Sequence, residues 1–173
     1  MPIKFWNDSD GSKYHSAYFD EYDGVWTHGD YLEMTENGGA IIYGRSDTTL
    51  NPGGVRIGTA EIYRSIENFE GIIDSVVIGK PEDSDVSIVL CVKLSERSII
   101  TDELKDKIKL QIRKSTTPRH VPNYIFQVLD IPYTISGKKV EKAVLHSVLG
   151  KKVKNKDALI NPESLKEYSN LPF

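Results

Sequence analysis

Ile72-Ile73-Asp74-Ser75-Val76-Val77-Ile78-Gly79-Lys80, then Pro81-Glu82-Asp83-Ser84-Asp85, then Val86-Ser87-Ile88-Val89-Leu90-Cys91-Val92-Lys93-Leu94: two apolar, β-branched runs stand either side of a short polar break. The runs read as paired strands and the break as an exposed acidic hairpin loop. Outward from this pair the pattern alternates between helix and strand. Upstream, Thr59 is placed to cap a helix that carries Ile62 and Ile66 at i,i+4 spacing. Downstream, Thr101 is placed to cap a second helix, with Asp102 and Glu103 in its first turn and a stripe of Leu104, Ile108 and Ile112. Thr117-Pro118-Arg119-His120-Val121-Pro122 ends it, Tyr124 to Val128 reads as a third strand, and Val140, Val144 and Val148 form the seam of a last helix. The pattern predicts an α+β domain from about Asp47 to Gly150, with a small, mostly antiparallel sheet packed with helices.

The first quarter reads as β. Val25-Trp26-Thr27 and Tyr31-Leu32-Glu33-Met34 are β-prone runs around His28-Gly29-Asp30, and Glu36-Asn37-Gly38-Gly39 is a turn signal before Ala40-Ile41-Ile42-Tyr43. Asp47 to Gly54 is polar and rich in Gly and Pro, as a linker would be. The expected organisation is therefore 1–46, 47–150 and a tail over 151–173. Lys151, Lys152, Lys154 and Lys156 in the tail read as a solvated surface rather than a phosphate site.

With 173 residues, the chain is long enough for one domain, or one domain and part of another. A net charge of −3 argues against nucleic-acid binding, which needs a basic face. The single cysteine, Cys91, excludes an internal disulfide and a multi-cysteine zinc site, and no metal ligand set is expected. Its apolar surroundings in the sequence make it a small core residue. The N-terminal residues show no apolar signal-peptide core, and no run reaches the roughly 20 apolar residues of a membrane span. A cytoplasmic protein is the expectation.

A few residues have the chemistry to hold a nucleotide. A carboxylate such as Asp30 can accept two adjacent hydroxyl protons of a ribose, because it is acceptor-only with two oxygens. Cations such as Arg45 and Lys138 can spread the charge developing on a phosphate. Taken singly each is ordinary: Gly29-Asp30 is a common turn pair, Arg45 a strand-end surface charge, and Lys138 a solvated residue after a turn glycine.

Four motifs in order change that reading: Gly29-Asp30, Gly44-Arg45-Ser46-Asp47, Gly53-Gly54-Val55-Arg56-Ile57, and Pro132-Tyr133-Thr134-Ile135-Ser136-Gly137-Lys138. From about Trp26 to Lys138 the chain resembles the last portion of the adenylate-forming superfamily of acyl-CoA synthetases, luciferases and peptide-synthetase adenylation domains. The resemblance implies that Asp30 binds ribose hydroxyls and that Arg45 lies on the ribose side. It makes Asp47 the hinge between a large domain and a mobile small one. It directs Gly54 and Arg56 toward the nucleotide and the pantetheine channel in the thioester-forming orientation, and it makes Lys138 the adenylation lysine. Residues 1–46 would then be the last β strip of the large domain.

Three further segments, Asn51 to Tyr63, Thr116-Thr117-Pro118-Arg119-His120-Val121-Pro122 and Lys154-Asn155-Lys156-Asp157-Ala158-Leu159, are similar to the acetoacetyl-CoA synthetases, as is the opening Phe5-Trp6-Asn7-Asp8-Ser9-Asp10-Gly11-Ser12-Lys13-Tyr14. Arg113 aligns with a position that meets the 3′-phosphate of CoA in the acetate-activating enzymes. The chain departs from the family at Lys139, where an apolar residue is commoner, so either ammonium is a candidate; the preceding glycine favours Lys138. The implied activity is acetoacetate–CoA ligation with ATP, CoA and Mg2+, in ketone-body use; acetate or another short acid is the alternative substrate. No Ser/Thr/Gly-rich phosphate loop ending in Lys and no Tyr-Gly-x-Thr-Glu segment occurs in the sequence. In the family those parts, with the metal ligands and the acyl pocket, lie on the large domain. The chain is thus expected to be a C-terminal fragment that is inactive alone. Met1 would be a native start in a truncated or split gene, or a boundary within a longer protein. The other reading is a relic, or a binding subunit that complements a separate N-terminal half.

Overall fold

Two acidic side chains start the first helix. Asp10 Oδ1 accepts from the Ser12 N–H at 3.1 Å, and the two oxygens of Asp8 accept from Lys13 and Tyr14 N–H at 2.9 Å each. They satisfy the N–H groups that a helix start leaves unpaired, and α1 runs over Ser12–Tyr18. Its Tyr14 and Tyr18, one turn apart, face Phe5 with ring centroids 5.6 and 5.8 Å away, and Tyr18 reaches Trp26 at 5.9 Å. The all-β expectation for the first quarter is corrected on two counts. Ser12–Tyr18 is helical, and Val25-Trp26-Thr27 is irregular rather than a strand. Side-chain caps and an aromatic cluster decide this segment, and neither shows as periodicity.

The computed structural model describes residues 2–96 and 98–173. They fall into two compact units, one ending at Asp30 and the other spanning Tyr31–Phe173. The hairpin of β1 (Asp30–Met34) and β2 (Ala40–Arg45) forms as expected. Its turn is closed by Thr35 N–H to Gly39 O at 2.8 Å and Gly38 N–H to Thr35 O at 2.9 Å, with Gly38 at φ +78°.

In the second unit β3 (Ile72–Pro81) and β4 (Val86–Leu94) pair antiparallel along their length. β5 (Tyr124–Gln127) joins the other edge of β4 in parallel. The remaining elements are α2 (Thr59–Ile66), α3 (Asp102–Ser115), α4 (Glu141–Val148) and α5 (Leu165–Tyr168). Side chains alternate across the sheet. Val77, Ile88, Leu90 and Val92 meet Ile62 and Ile66 of α2 and Ile108 and Ile112 of α3 in one core. Val76, Ile78, Val89 and Cys91 meet Val144 of α4 and Leu165 and Tyr168 of α5 in a second. Both faces are covered, so β4 is apolar at consecutive positions rather than at alternate ones.

Thr101 caps α3 as expected, accepting from Leu104 N–H at 3.2 Å. Thr59 does not cap α2: Gly58 is the cap, and the Glu61 carboxylate accepts the Gly58 N–H at 3.3 Å. The polar stretch read as a linker carries a core residue. Leu50 is buried and makes a two-bond bridge with Ile57, N–H to O at 2.9 Å each way. Beyond Gly150, Val153, Leu159, Leu165 and Tyr168 complete the second core, and the Tyr168 hydroxyl donates to Asp130 O at 2.9 Å.

Candidate functional site

Lys138 stands at the end of a tight hairpin. Tyr133 and Lys139 face each other as its legs. Thr134 N–H donates to Lys138 O at 2.8 Å, Lys138 N–H to Thr134 Oγ1 at 3.0 Å, and Gly137 N–H to Thr134 O at 2.8 Å. Gly137 sits at φ +77°, where a side chain is disfavoured. The hairpin is anchored to the chain beyond α4 by Ile135 N–H to Ala158 O at 2.9 Å. Lys138 is exposed.

Lys139 is bound. Its Nζ lies 2.7 Å from Asp74 Oδ1 and 2.7 Å from Ser75 O, and 4.6 Å from the centre of the Tyr63 ring. The second oxygen of Asp74 accepts from the Tyr133 hydroxyl at 2.8 Å. Burial first, and then this carboxylate, pushes the Tyr133 phenol well above its usual range, which keeps it a neutral donor. Tyr63 is pushed up in the same sense, by burial and then by Glu141, to which it donates at 2.6 Å.

Arg45 ends β2, and Asp47 follows it. The Asp47 carboxylate has Arg45 Nε at 3.5 Å on one oxygen and Lys142 Nζ of α4 at 3.2 Å on the other. Arg45 O accepts from Thr49 Oγ1 at 2.7 Å and Thr48 N–H at 3.2 Å, so the chain turns tightly at this point. Arg45, Asp47, Thr134 and Lys142 line one open cleft of about 510 Å³.

Arg56 lies in a different cleft, of about 520 Å³, with Tyr31, Glu33, Tyr43, Arg119 and His120. Its guanidinium covers the Tyr31 ring at 5.3 Å. The Tyr43 hydroxyl donates to Glu33 at 2.5 Å, a bond that raises its pKa. His120 is buried, with Nδ1 2.9 Å from Thr117 Oγ1 and Nε2 3.3 Å from Glu61. The loop before Arg56 turns through Gly53 and Gly54 at φ +57° and +77°. Asp85 braces it, accepting the Gly53 N–H at 2.7 Å, and that bond leads the lowering of the Asp85 pKa.

Asp30 opens β1, and its carboxylate contacts Nδ1 of the His28 ring. Arg113 is exposed on α3 and lines neither cleft. The structure thus gathers Arg45 and Asp47 with Thr134 and Lys139 of the hairpin, Lys138 itself lining neither cleft, and sets Arg56 in a second cleft. Among the described residues no three His, Cys, Asp or Glu side chains cluster to hold a metal ion. No helix among them is long and apolar enough to cross a membrane.

No family model matches the chain. The acetoacetyl-coenzyme A synthetase of Rhizobium meliloti (strain 1021) is 53% identical over 99% of the chain. The acetoacetyl-CoA synthetase from Streptomyces lividans superposes on 97% of it with a TM-score of 0.87 at 42% identity. The chain aligns with the C-terminal quarter of acetoacetyl-CoA synthetases. It spans 26% of the length of each of these two proteins. An ATP-bound RpMatB-BxBclM chimera is a more distant likeness, 25% identical over 83% of the chain with a TM-score of 0.64.

The sequence pattern alone gives no role to Lys142, Asp74, Glu61 or His120. His120 lies in Thr117-Pro118-Arg119-His120-Val121-Pro122, a proline-flanked stretch that marks a fixed loop, and that was the available signal. Lys142 and Asp74 had none, since their partners are remote in sequence.

Proposed function

We propose that this segment is the mobile catalytic domain of an acetoacetate–CoA ligase that uses ATP and CoA. In the first half-reaction a carboxylate oxygen of acetoacetate attacks the α-phosphorus of ATP. The bond from that phosphorus to the oxygen bridging to the β-phosphorus breaks, and pyrophosphate leaves with the electron pair. In the second, the sulfur of CoA attacks the acyl carbon of acetoacetyl-AMP. The bond from that carbon to the phosphate oxygen breaks, AMP leaves, and the thiol proton passes to solvent.

The observation that carries this reading is the division of labour between two adjacent lysines. Lys139 is engaged by Asp74, Ser75 and Tyr63, whereas Lys138 is exposed just after the hairpin turn. Lys138 is accordingly the catalytic lysine, a point cation for the carboxylate and α-phosphate oxygens during adenylation. Asp30, oriented by His28, takes the ribose hydroxyls, and Arg45 and Arg56 serve the nucleotide. Asp47 is the pivot about which the domain turns between half-reactions. Gly54 flanks the pantetheine path, and Arg113 meets the CoA phosphate. The acyl pocket and the β- and γ-phosphate sites are assigned to the remainder of the ligase. Mg2+ is assigned there too. The setting is the cytoplasm, where ATP and CoA are at hand.

The test joins this segment to the N-terminal part of the Rhizobium meliloti relative. Lys138→Ala is expected to slow pyrophosphate exchange by about 10²- to 10³-fold, the scale for one preorganised donor. It should leave thioester formation from supplied acetoacetyl-AMP within about twofold of wild type on the same scale. Gly54→Leu is expected to do the reverse. Loss of the same half-reaction in both variants would overturn the two-orientation mechanism. The 173-residue chain by itself should release no pyrophosphate from ATP and acetoacetate.

A further inference from the structure

We propose that Lys139 is a positioning residue for Lys138, acting with Asp74 and Tyr133 as a staple that closes the two legs of the hairpin onto β3. The proposal rests on the assignment of Lys138 as the adenylation lysine.

Asp74 grips both legs at once. Oδ1 holds Lys139 on the outgoing leg at 2.7 Å, and Oδ2 holds the Tyr133 hydroxyl on the incoming leg at 2.8 Å. The carboxylate is set for this by an irregularity in β3. The β3–β4 register shifts between Ile72 and Asp74, and Ser75 N–H donates to Asp74 Oδ1 at 2.7 Å. A bulge of this kind re-aims a side chain. Lys139 then donates again to Ser75 O and covers the Tyr63 ring, so the cation is fixed from three directions. Lys139 and Asp74 side chains are 27% and 21% exposed, so this pair is shielded far more than an ordinary surface bridge. Lys138 itself has no such anchor among the contacts described. Its direction is inherited from a backbone held at Thr134, Gly137 and Lys139. A preorganised cation is effective only when its geometry is held, and a displacement of about 1 Å can cost about a hundredfold in rate.

The experiment has two arms. In the 173-residue chain, hydrogen exchange at Thr134 and Lys138 N–H is compared for wild type, Lys139→Met, Lys139→Arg and Asp74→Asn. Lys139→Met and Asp74→Asn are expected to lower protection of these two amides about tenfold, with Lys139→Arg in between, while the Val89–Val92 amides stay unchanged. Unchanged protection at Thr134 and Lys138 would overturn the staple, as would an equal loss in the sheet. In the joined ligase, Lys139→Met is expected to lower kcat for adenylation about tenfold or more, with KM for ATP and thioester formation unmoved. Equal loss of both half-reactions would mean a merely structural role and would overturn the proposal. Strong loss in Lys138→Ala with none in Lys139→Met would defeat the staple alone. A silent Lys138→Ala would instead defeat the functional assignment beneath it, while the exchange arm still judged the staple.

Discussion

Gly58 and Tyr43 meet backbone to backbone: a Cβ built on Gly58 would lie 2.2 Å from the Tyr43 carbonyl oxygen. The approach seats the start of α2 against β2, which ends at Arg45. Gly58 has φ −77°, so its requirement is space and not conformation.

Gly58→Ala should therefore destabilise the chain by about 1–3 kcal/mol, the cost of forcing an added methyl into a packed contact. Urea unfolding midpoints would measure it. A neutral substitution would mean that β2 and α2 do not pack this closely.

Gly54 should respond for the opposite reason. Nothing lies within 4 Å of its Cβ position, but its φ is +77°. Gly54→Ala should cost about 1–2 kcal/mol through left-handed strain alone, and Gly54→Asn less, because Asn tolerates that region. Equal stability of the two variants would refute the strain. This comparison also calibrates the half-reaction test, since stability loss in Gly54→Leu is separable from obstruction.

Cys91 should be inert in the folded chain. It is buried at the second core, and burial pushes its thiol up to about 12. At about pH 8 a thiol reagent should label it only as fast as the chain unfolds, because the thiolate is the reactive form. Rapid labelling without denaturant would contradict this placement.

Asp130 should contribute a pH-dependent increment of stability. Lys93, at 2.8 Å, is the main cause of its lowered pKa, with the Asn161 amide also donating to it. With the folded pKa below the unfolded value near 3.8, the increment is present above that value and is lost as pH falls through the folded one. The carboxylate is 42% exposed, so solvent screening keeps the increment to about 1 kcal/mol or less. Asp130→Asn should be destabilising at about pH 6, and the difference should shrink as pH falls below the unfolded value, read from urea midpoints. A difference independent of pH would refute the linkage.

The strands, the helix stripes and the hairpin at Asn37-Gly38 were legible because each rests on spacing within one element. Ile62 with Ile66, and Ile108 with Ile112, point inward whatever they meet. The α1 helix was missed because its signal is two carboxylates and a ring cluster rather than an apolar stripe. Leu50 was lost in a polar stretch, since a single buried residue makes no periodicity.

By itself the sequence determined the α+β class, the likeness to acetoacetyl-CoA synthetases, and which residue types stand at Asp30, Arg45, Asp47, Gly54, Arg56 and Lys138. These are local or ordered along the chain, so one dimension holds them. Only the tertiary structure decided that β5 joins β4 in parallel, that Asp85 braces Gly53, that Lys142 holds Asp47, and that Lys139 is held while Lys138 is exposed. Each of those is a pairing between groups far apart in sequence. Which of two adjacent lysines is sequestered depends on where a carboxylate 65 residues from Lys139, Asp74, is brought by packing two faces of one sheet.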